Sequence, residues 1–172
     1  DAHSIAINVS GYYEHGGLLG GFANIDVLYR WKPAGQFRSL IIGGEIFFVH
    51  HEFGREAVDE NGVPVLDIDG NPVIEDVSTN PIGWFLYAQY QIDWHWYAGV
   101  RWDRIDVLAN DKLKTDVFAA YVSYYTSEYF RIRVGYEYRW SDIVEQDDTH
   151  TFLFEMNLVF GSHPPEPWWV QR

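Results

Sequence analysis

Apolar and polar residues alternate along most of this chain, one for one. Near the C-terminus Phe152, Phe154, Met156, Leu158 and Phe160 are interleaved with Thr151, Glu155 and Asn157. Upstream, Ile132, Val134, Tyr136 and Tyr138 alternate with Arg131, Arg133, Glu137 and Arg139. The same rhythm sets Trp96, Ala98, Val100 and Trp102 against Tyr97, Arg101 and Asp103, and Ile25, Val27, Tyr29 and Trp31 against Asn24, Asp26 and Arg30. A period of two gathers the apolar positions on one face of a β-strand. Strands are predicted over 3–14, 22–32, 38–51, 83–93, 95–107, 116–126, 129–140 and 149–160, eight in all. No stretch holds a helical apolar period across three turns, so the chain reads as all-β.

A soluble sandwich also alternates. Two features point instead to a membrane barrel. The apolar faces begin and end in Trp, Tyr or Phe, as the aromatic girdles of an outer-membrane barrel do, and the polar faces carry charges of both signs in mid-strand, as the wall of a watery lumen would. Connection lengths point the same way. Those at Asp93–His95 and Thr126–Glu128 are tight and the one around Pro33–Phe37 is modest, whereas 15–21, 52–82, 108–115 and 141–148 are long. Short periplasmic turns and long outer loops are the barrel arrangement. The predicted fold is therefore an antiparallel up-and-down transmembrane β-barrel, with about eight strands here as part of a larger barrel. Its expected place is the outer membrane of a Gram-negative bacterium, C-terminus in the periplasm and the 52–82 loop outside. Strands occupy 1–161, and a Pro- and Trp-rich periplasmic tail, with Trp168 and Trp169, occupies 162–172. Within the 52–82 loop, Val63–Asp67 is echoed by Asn71–Glu75, and Asp69-Gly70 between them signals a type I′ turn. A small hairpin continuing the flanking strands is expected there.

Composition sharpens this picture. Aromatics make up 18% of the chain, with 8 Trp, 12 Tyr and 11 Phe, which suits interface girdles. No run approaches 18 apolar residues, which excludes a helical span. A net charge of −13 without a basic stripe excludes nucleic acid as a partner. The absence of Cys excludes thiol chemistry. No charged n-region and no apolar h-region open the chain at Asp1, so a signal peptide is expected to be removed or to lie outside this stretch.

Candidate chemistry centres on the polar faces. Asp26, Arg30, Glu45, Arg101, Asp103, Arg131, Arg133, Glu137, Arg139 and Glu155 are the expected pore-lining residues. Rows of opposite charge across a pore would order water and filter solutes by charge. Gly and Ala at inner positions (Ala6, Gly43, Gly99, Ala119, Gly135) suggest open space above them. The carboxylates are scattered and no Gly-x-Ser-x-Gly elbow occurs, so no enzymatic activity is expected. No resident cofactor is expected either. The weak metal candidates are Zn²⁺ at a rim set of His15, His51 and His150 with Glu14 and Glu52, and Ca²⁺ at Asp67–Asn71, which lacks the distal Glu of an EF-hand. His50 and His51, adjacent in a strand, must point to opposite faces. The expected function is a porin or channel passing small hydrophilic solutes, metal ions among the candidates. The rivals are a structural or adhesive barrel that conducts nothing, and a sheath barrel around a partner such as an electron-transfer cytochrome.

The strand from Thr149 to Phe160, alternating and ending on Phe, resembles the signal read by the barrel-assembly machinery, although the tail follows it. Longer stretches carry a family resemblance. These are DVLYRWKP at 26–33, LIIGGEIFF at 40–48, GWFLYAQYQI at 83–92, YAGVRWDRID at 97–106, SEYFRIRVGY at 127–136 and LVFGSH at 158–163. In order and spacing, over nearly the whole chain, they resemble the C-terminal half of porin-like Gram-negative outer-membrane proteins often labelled zinc-regulated TonB-dependent outer membrane receptors. The resemblance implies one part of a larger barrel, and the family name supplies its link to zinc. A TonB-dependent receptor also carries a plug domain and a TonB box, and neither is in this sequence. The expected partners are outer-membrane lipid and lipopolysaccharide, the assembly machinery during biogenesis, and further copies of the chain or a partner protein.

Overall fold

The computed structural model describes residues 2–13, 19–60, 63–108, 110–127, 129–143 and 147–159. These form one antiparallel sheet of nine strands: β1 (Ala2–Tyr13), β2 (Leu19–Lys32), β3 (Ser39–Glu56), β4 (Ile74–Thr79), β5 (Ile82–Gln91), β6 (Trp96–Val107), β7 (Asn110–Ser127), β8 (Phe130–Ser141) and β9 (Thr149–Leu158). Neighbours in sequence are neighbours in space, in the order β1-β2-β3-β5-β6-β7-β8-β9. The short β4 lies off this path on the far end of β3. β3 is long enough to serve both partners: Ser39 to Phe48 pairs with β5, and His51 to Glu56 pairs with β4. The sheet is not closed, since β1 and β9 stand at its two edges.

Turn chemistry fixes the register at one end. Gly35 takes a positive φ of 68° in the 33–38 turn, a conformation that suits a residue without Cβ. In the 92–95 turn the Asp93 carboxylate accepts the N–H groups of His95 at 2.8 Å and Trp96 at 2.9 Å. The Phe37 and Trp94 rings stack, tying the two turns together.

The register then assigns every side chain to a face. One face carries Ile5, Ile7 and Val9 of β1, Ile25 and Val27 of β2, Ile42 and Ile46 of β3, and so on to Val134 of β8 and Phe154 of β9. It is bare. Val134 is 51% exposed, Phe154 66% and Ile7 64%, and among the described residues the one buried hydrophobic side chain is Ile41. Burying a Val, Leu, Ile or Phe side chain contributes about 1.5–3 kcal/mol, so a sheet that leaves this face open to water forgoes the dominant stabilising term of folding. No second layer of the described chain covers it.

The structure corrects several expectations. There are nine strands, not eight, because 74–79 pairs with the end of β3. That ladder sets Glu52 against Ser78, Gly54 against Asp76 and Arg55 against Glu75. It has little apolar alternation to betray it, and an Arg55–Glu75 ion pair at 2.6 Å supports it. The predicted 108–115 loop is mostly strand: β7 begins at Asn110, and Asp106 faces Lys114 across the ladder. The contrast between short and long loops is thus partly an overhang of β3, β6 and β7 beyond the apolar band. The Asp69-Gly70 turn is not type I′. That type needs positive φ at both central residues, and among the described residues only Gly35 and Gly70 have it. Instead the Asp67 side chain accepts the N–H groups of Asp69 at 2.9 Å and Asn71 at 2.8 Å, an Asx-type turn that leaves the positive φ to Gly70 alone. The expected hairpin beyond the flanking strands does form, through single bridges at Val58–Pro64 and Leu66–Pro72. The predicted strand end at Phe160 and the 162–172 tail lie outside the described residues.

Candidate functional site

The face opposite the bare one gathers all of the predicted lining residues. Antiparallel partners share a face, so the ladders can be read as rows across the sheet. One row runs Asp26, Glu45, Phe85, Asp103, Val117, Arg139 and Thr149. The next runs Leu28, Gly43, Tyr87, Arg101, Ala119, Glu137 and Thr151. Arg30 lies in the row with Tyr121, and Arg133 and Glu155 face each other one row further on. Arg131 completes the set at the tight-turn end.

The side chains on this face are connected. Asn8 donates to Asp26 at 2.8 Å, Ser10 donates to Asn24, and Asn24 donates to Glu45. On the other half Arg101 pairs with Asp103 at 2.6 Å, Arg131 pairs with Glu155, and Arg133 reaches Glu155 at 3.6 Å while donating to Ser123 at 2.9 Å. The expected opposed charge rows are thus only partly present. Asp26 and Glu45 sit together on β2 and β3, and the arginines concentrate on β6 and β8, but Asp103, Glu137 and Glu155 are interspersed among them. Among the described residues Arg30, Glu137 and Arg139 make no ion pair.

Space above the glycines is filled, contrary to expectation. A Cβ on Gly43 would stand 2.7 Å from the Tyr87 ring, and one on Gly99 would overlap the Tyr121 ring. Each tyrosine therefore lies flat against the backbone of the neighbouring strand. Tyr121 donates from its hydroxyl to Gln89 at 2.8 Å, and the Arg133 guanidinium stands 4.5 Å from its ring centre. Arg101 lies similarly over Phe85 at 4.9 Å. Reading the sequence missed these rings because a Tyr at a polar-face position reads as one more girdle residue. The signal is a Gly directly across the ladder, which needs the register.

A second omission lies on the bare face. Arg104 and Asp116, cross-strand partners near the overhang, form an ion pair at 2.8 Å. Trp102 donates its indole N–H to the same carboxylate oxygen at 3.0 Å, and Arg104 stands 5.9 Å from the Trp84 ring centre and 6.0 Å from that of Trp102. Asp116 is 5% exposed, so both donors are needed to offset its desolvation. Two isolated charges at apolar positions mark it in the sequence.

The histidines do not converge. His15 lies outside the described residues. His51 of β3 is on the polar face, where it stacks on Phe53, whereas His150 of β9 is on the bare face, hydrogen-bonded to Tyr136 at 2.7 Å. Five strand steps and the sheet itself separate the two. His50 points away from His51, as expected, toward Asn80 and Glu52. Among the described residues no group of three or more His, Asp or Glu side chains is placed to hold a metal ion. In the loop, the N–H groups of Asn71 and Asp69 hold the Asp67 carboxyl below the ordinary carboxylate range, which is turn chemistry and engages the carboxylate locally. Compared with protein-family models, curated proteins and solved structures, the chain finds no match.

Proposed function

We propose that this sheet is part of the wall of an outer-membrane β-barrel of a Gram-negative bacterium, and that its polar face lines an aqueous path for small hydrophilic solutes. The observation that carries this reading is the bare aliphatic face bounded at both ends by rings. Tyr90, Trp96 and Tyr124 stand toward the tight turns, and Trp84, Trp102 and Phe118 toward the overhang. Lipid offers the apolar surroundings that this face lacks, and aromatic rows belong at its two interfaces.

Lipid also makes demands on the edges. Backbone groups cannot stay unpaired in the hydrocarbon core, so only a closed barrel is stable there. β1 and β9 run antiparallel to each other, so further strands, even in number, close the barrel between them. This agrees with the family resemblance of the sequence to porin-like proteins. The end of β9 then faces the periplasm, and β3, β6 and β7 project outward with β4. Outer-membrane lipid is the partner on the bare face. The lining acts by charge and breaks no bonds.

Arg30, Glu137 and Arg139 favour a conducting lumen over a structural barrel, because charges without ion-pair partners need water. The tyrosines over Gly43 and Gly99 remove the reason to expect a wide empty sheath. Single-channel recording of the protein in a planar bilayer tests the reading. Discrete conductance steps are expected. Folded, inserted protein that carries no current would refute the pore and leave a structural barrel.

A further inference from the structure

We infer that the polar face carries an aromatic rail for linear oligosaccharides, an inference that rests on the pore reading above and names its substrate class. A face that must meet water has no need of a continuous line of rings, and exposed apolar surface of that kind marks a binding site. Here four rings form an unbroken run. Phe22 contacts Phe47 with ring centres 6.0 Å apart, Phe47 contacts Phe85 at 6.2 Å, and Phe85 contacts Tyr87 at 6.3 Å. The run descends diagonally from the overhang end of β2, across β3, to the middle of β5. The run ends at Gln89, the next residue of β5 on this face, which accepts the Tyr121 hydroxyl, and a separate Tyr97–Tyr125 pair, 4.9 Å apart, stands toward the tight-turn end. All seven rings are half-buried: they are supported from the wall and still reach the lumen.

What stands beside the rings selects the ligand class. Phe47 faces Asn24 across the ladder, Phe85 lies between Glu45 and Asp103, and Tyr87 faces Arg101. Each of these three rings thus has a strong hydrogen-bonding group as a cross-strand neighbour. A sugar ring has the matching construction, with an apolar C–H face for stacking and a rim of hydroxyls that both donate and accept. Carboxylates accept two such hydroxyls and a guanidinium donates in a fixed plane. A simple anion would use the arginines but not the rings, and an apolar solute would leave unused the further hydrogen bonds that Asn24, Glu45 and Asp103 can make beyond their partners in the wall. A chain of sugars engages both along the whole diagonal, and moves by exchanging one equivalent site for the next.

The test is current block. The protein is held in a planar bilayer and titrated with a linear maltooligosaccharide, with a polyethylene glycol of equal hydrodynamic size as the control. The expected result is a saturable, sugar-specific block whose affinity falls about tenfold when one ring is removed in Phe85→Ala, the scale of one stacking contact. Phe85→Trp, which keeps a ring and verifies folding, retains the block, as does the outward-facing Val100→Ala. Open channels that the sugar does not block, that the glycol blocks equally, or whose block survives Phe85→Ala overturn the rail and leave the pore standing. Absence of any channel overturns both.

Discussion

The bare face yields a sharp test through one residue, Val134. It lies on β8 four residues from Phe130 and four from Tyr138, both on the same face. At about 3.4 Å per residue each flank spans ~14 Å of strand, and a barrel tilt of about 40° reduces this to ~10 Å of height. Val134 is therefore placed at the middle of the apolar band, and it is 51% exposed with only Val122 and Phe154 beside it across the ladders. Replacing it by Arg buries no new charge in protein. In water such a change on an open surface falls within about 0.5 kcal/mol of neutral. At the midplane of a bilayer it costs about 2–4 kcal/mol, decaying toward zero at the interface. The assay is reversible urea unfolding in lipid vesicles followed by Trp fluorescence. The expected result is a fall of that size for Val134→Arg, a smaller fall for Ile132→Arg nearer the ring row, and a near-neutral change for Thr151→Arg, which faces Glu137 on the opposite side. A Val134→Arg protein as stable in lipid as its parent would refute the membrane assignment of this face.

Three further outcomes are expected. Gly99→Val forces the Tyr121 ring off the β6 backbone and lowers stability by about 1–3 kcal/mol in urea titration, and a second change, Tyr121→Ala, recovers part of the loss if the overlap is its cause. Asp116→Ala strips the shared acceptor from Arg104 and Trp102 and costs about 1–3 kcal/mol, read by the same unfolding assay, whereas Asp103→Ala, whose carboxylate is better solvated, costs less. The Asp93 carboxyl is held below its ordinary range by the N–H groups of His95 and Trp96. Its folded-state pKa lies below its unfolded value, so its contribution is present above the ordinary carboxylate pKa and is lost as pH falls through the lower, folded value. The His95 and Trp96 amide resonances should titrate together with that depressed midpoint, and Asp93→Asn should abolish the transition.

Much of this molecule is legible in its amino-acid sequence, and the reason is local. The register puts Trp96, Val100 and Trp102 on one face and Arg101 and Asp103 on the other because successive side chains of a strand must alternate. The same rule placed Asp26 with Glu45 on the polar face and sent His50 and His51 apart. Where the rule has little apolar contrast to act on, the strands extend past their predicted bounds: β4, the end of β3 beyond His51 and the start of β7 before Asp116 carry few apolar residues, and cross-strand pairs such as Arg55 with Glu75 hold β3 to β4. The Asp69-Gly70 turn was misread because the Asp67 side chain, two residues away, takes over hydrogen bonds that a type I′ turn would leave to the backbone.

Periodicity along one strand determined the all-β character, the two faces and the identity of the lining charges. The tertiary structure decided what those charges and rings do to one another. That Tyr121 covers Gly99, that Asp116 joins Arg104 to Trp102, that His51 and His150 never meet, and that Phe22, Phe47, Phe85 and Tyr87 fall in one line all depend on how each strand is slid against the next. A slide of a single residue would exchange faces throughout, and no one strand contains that information.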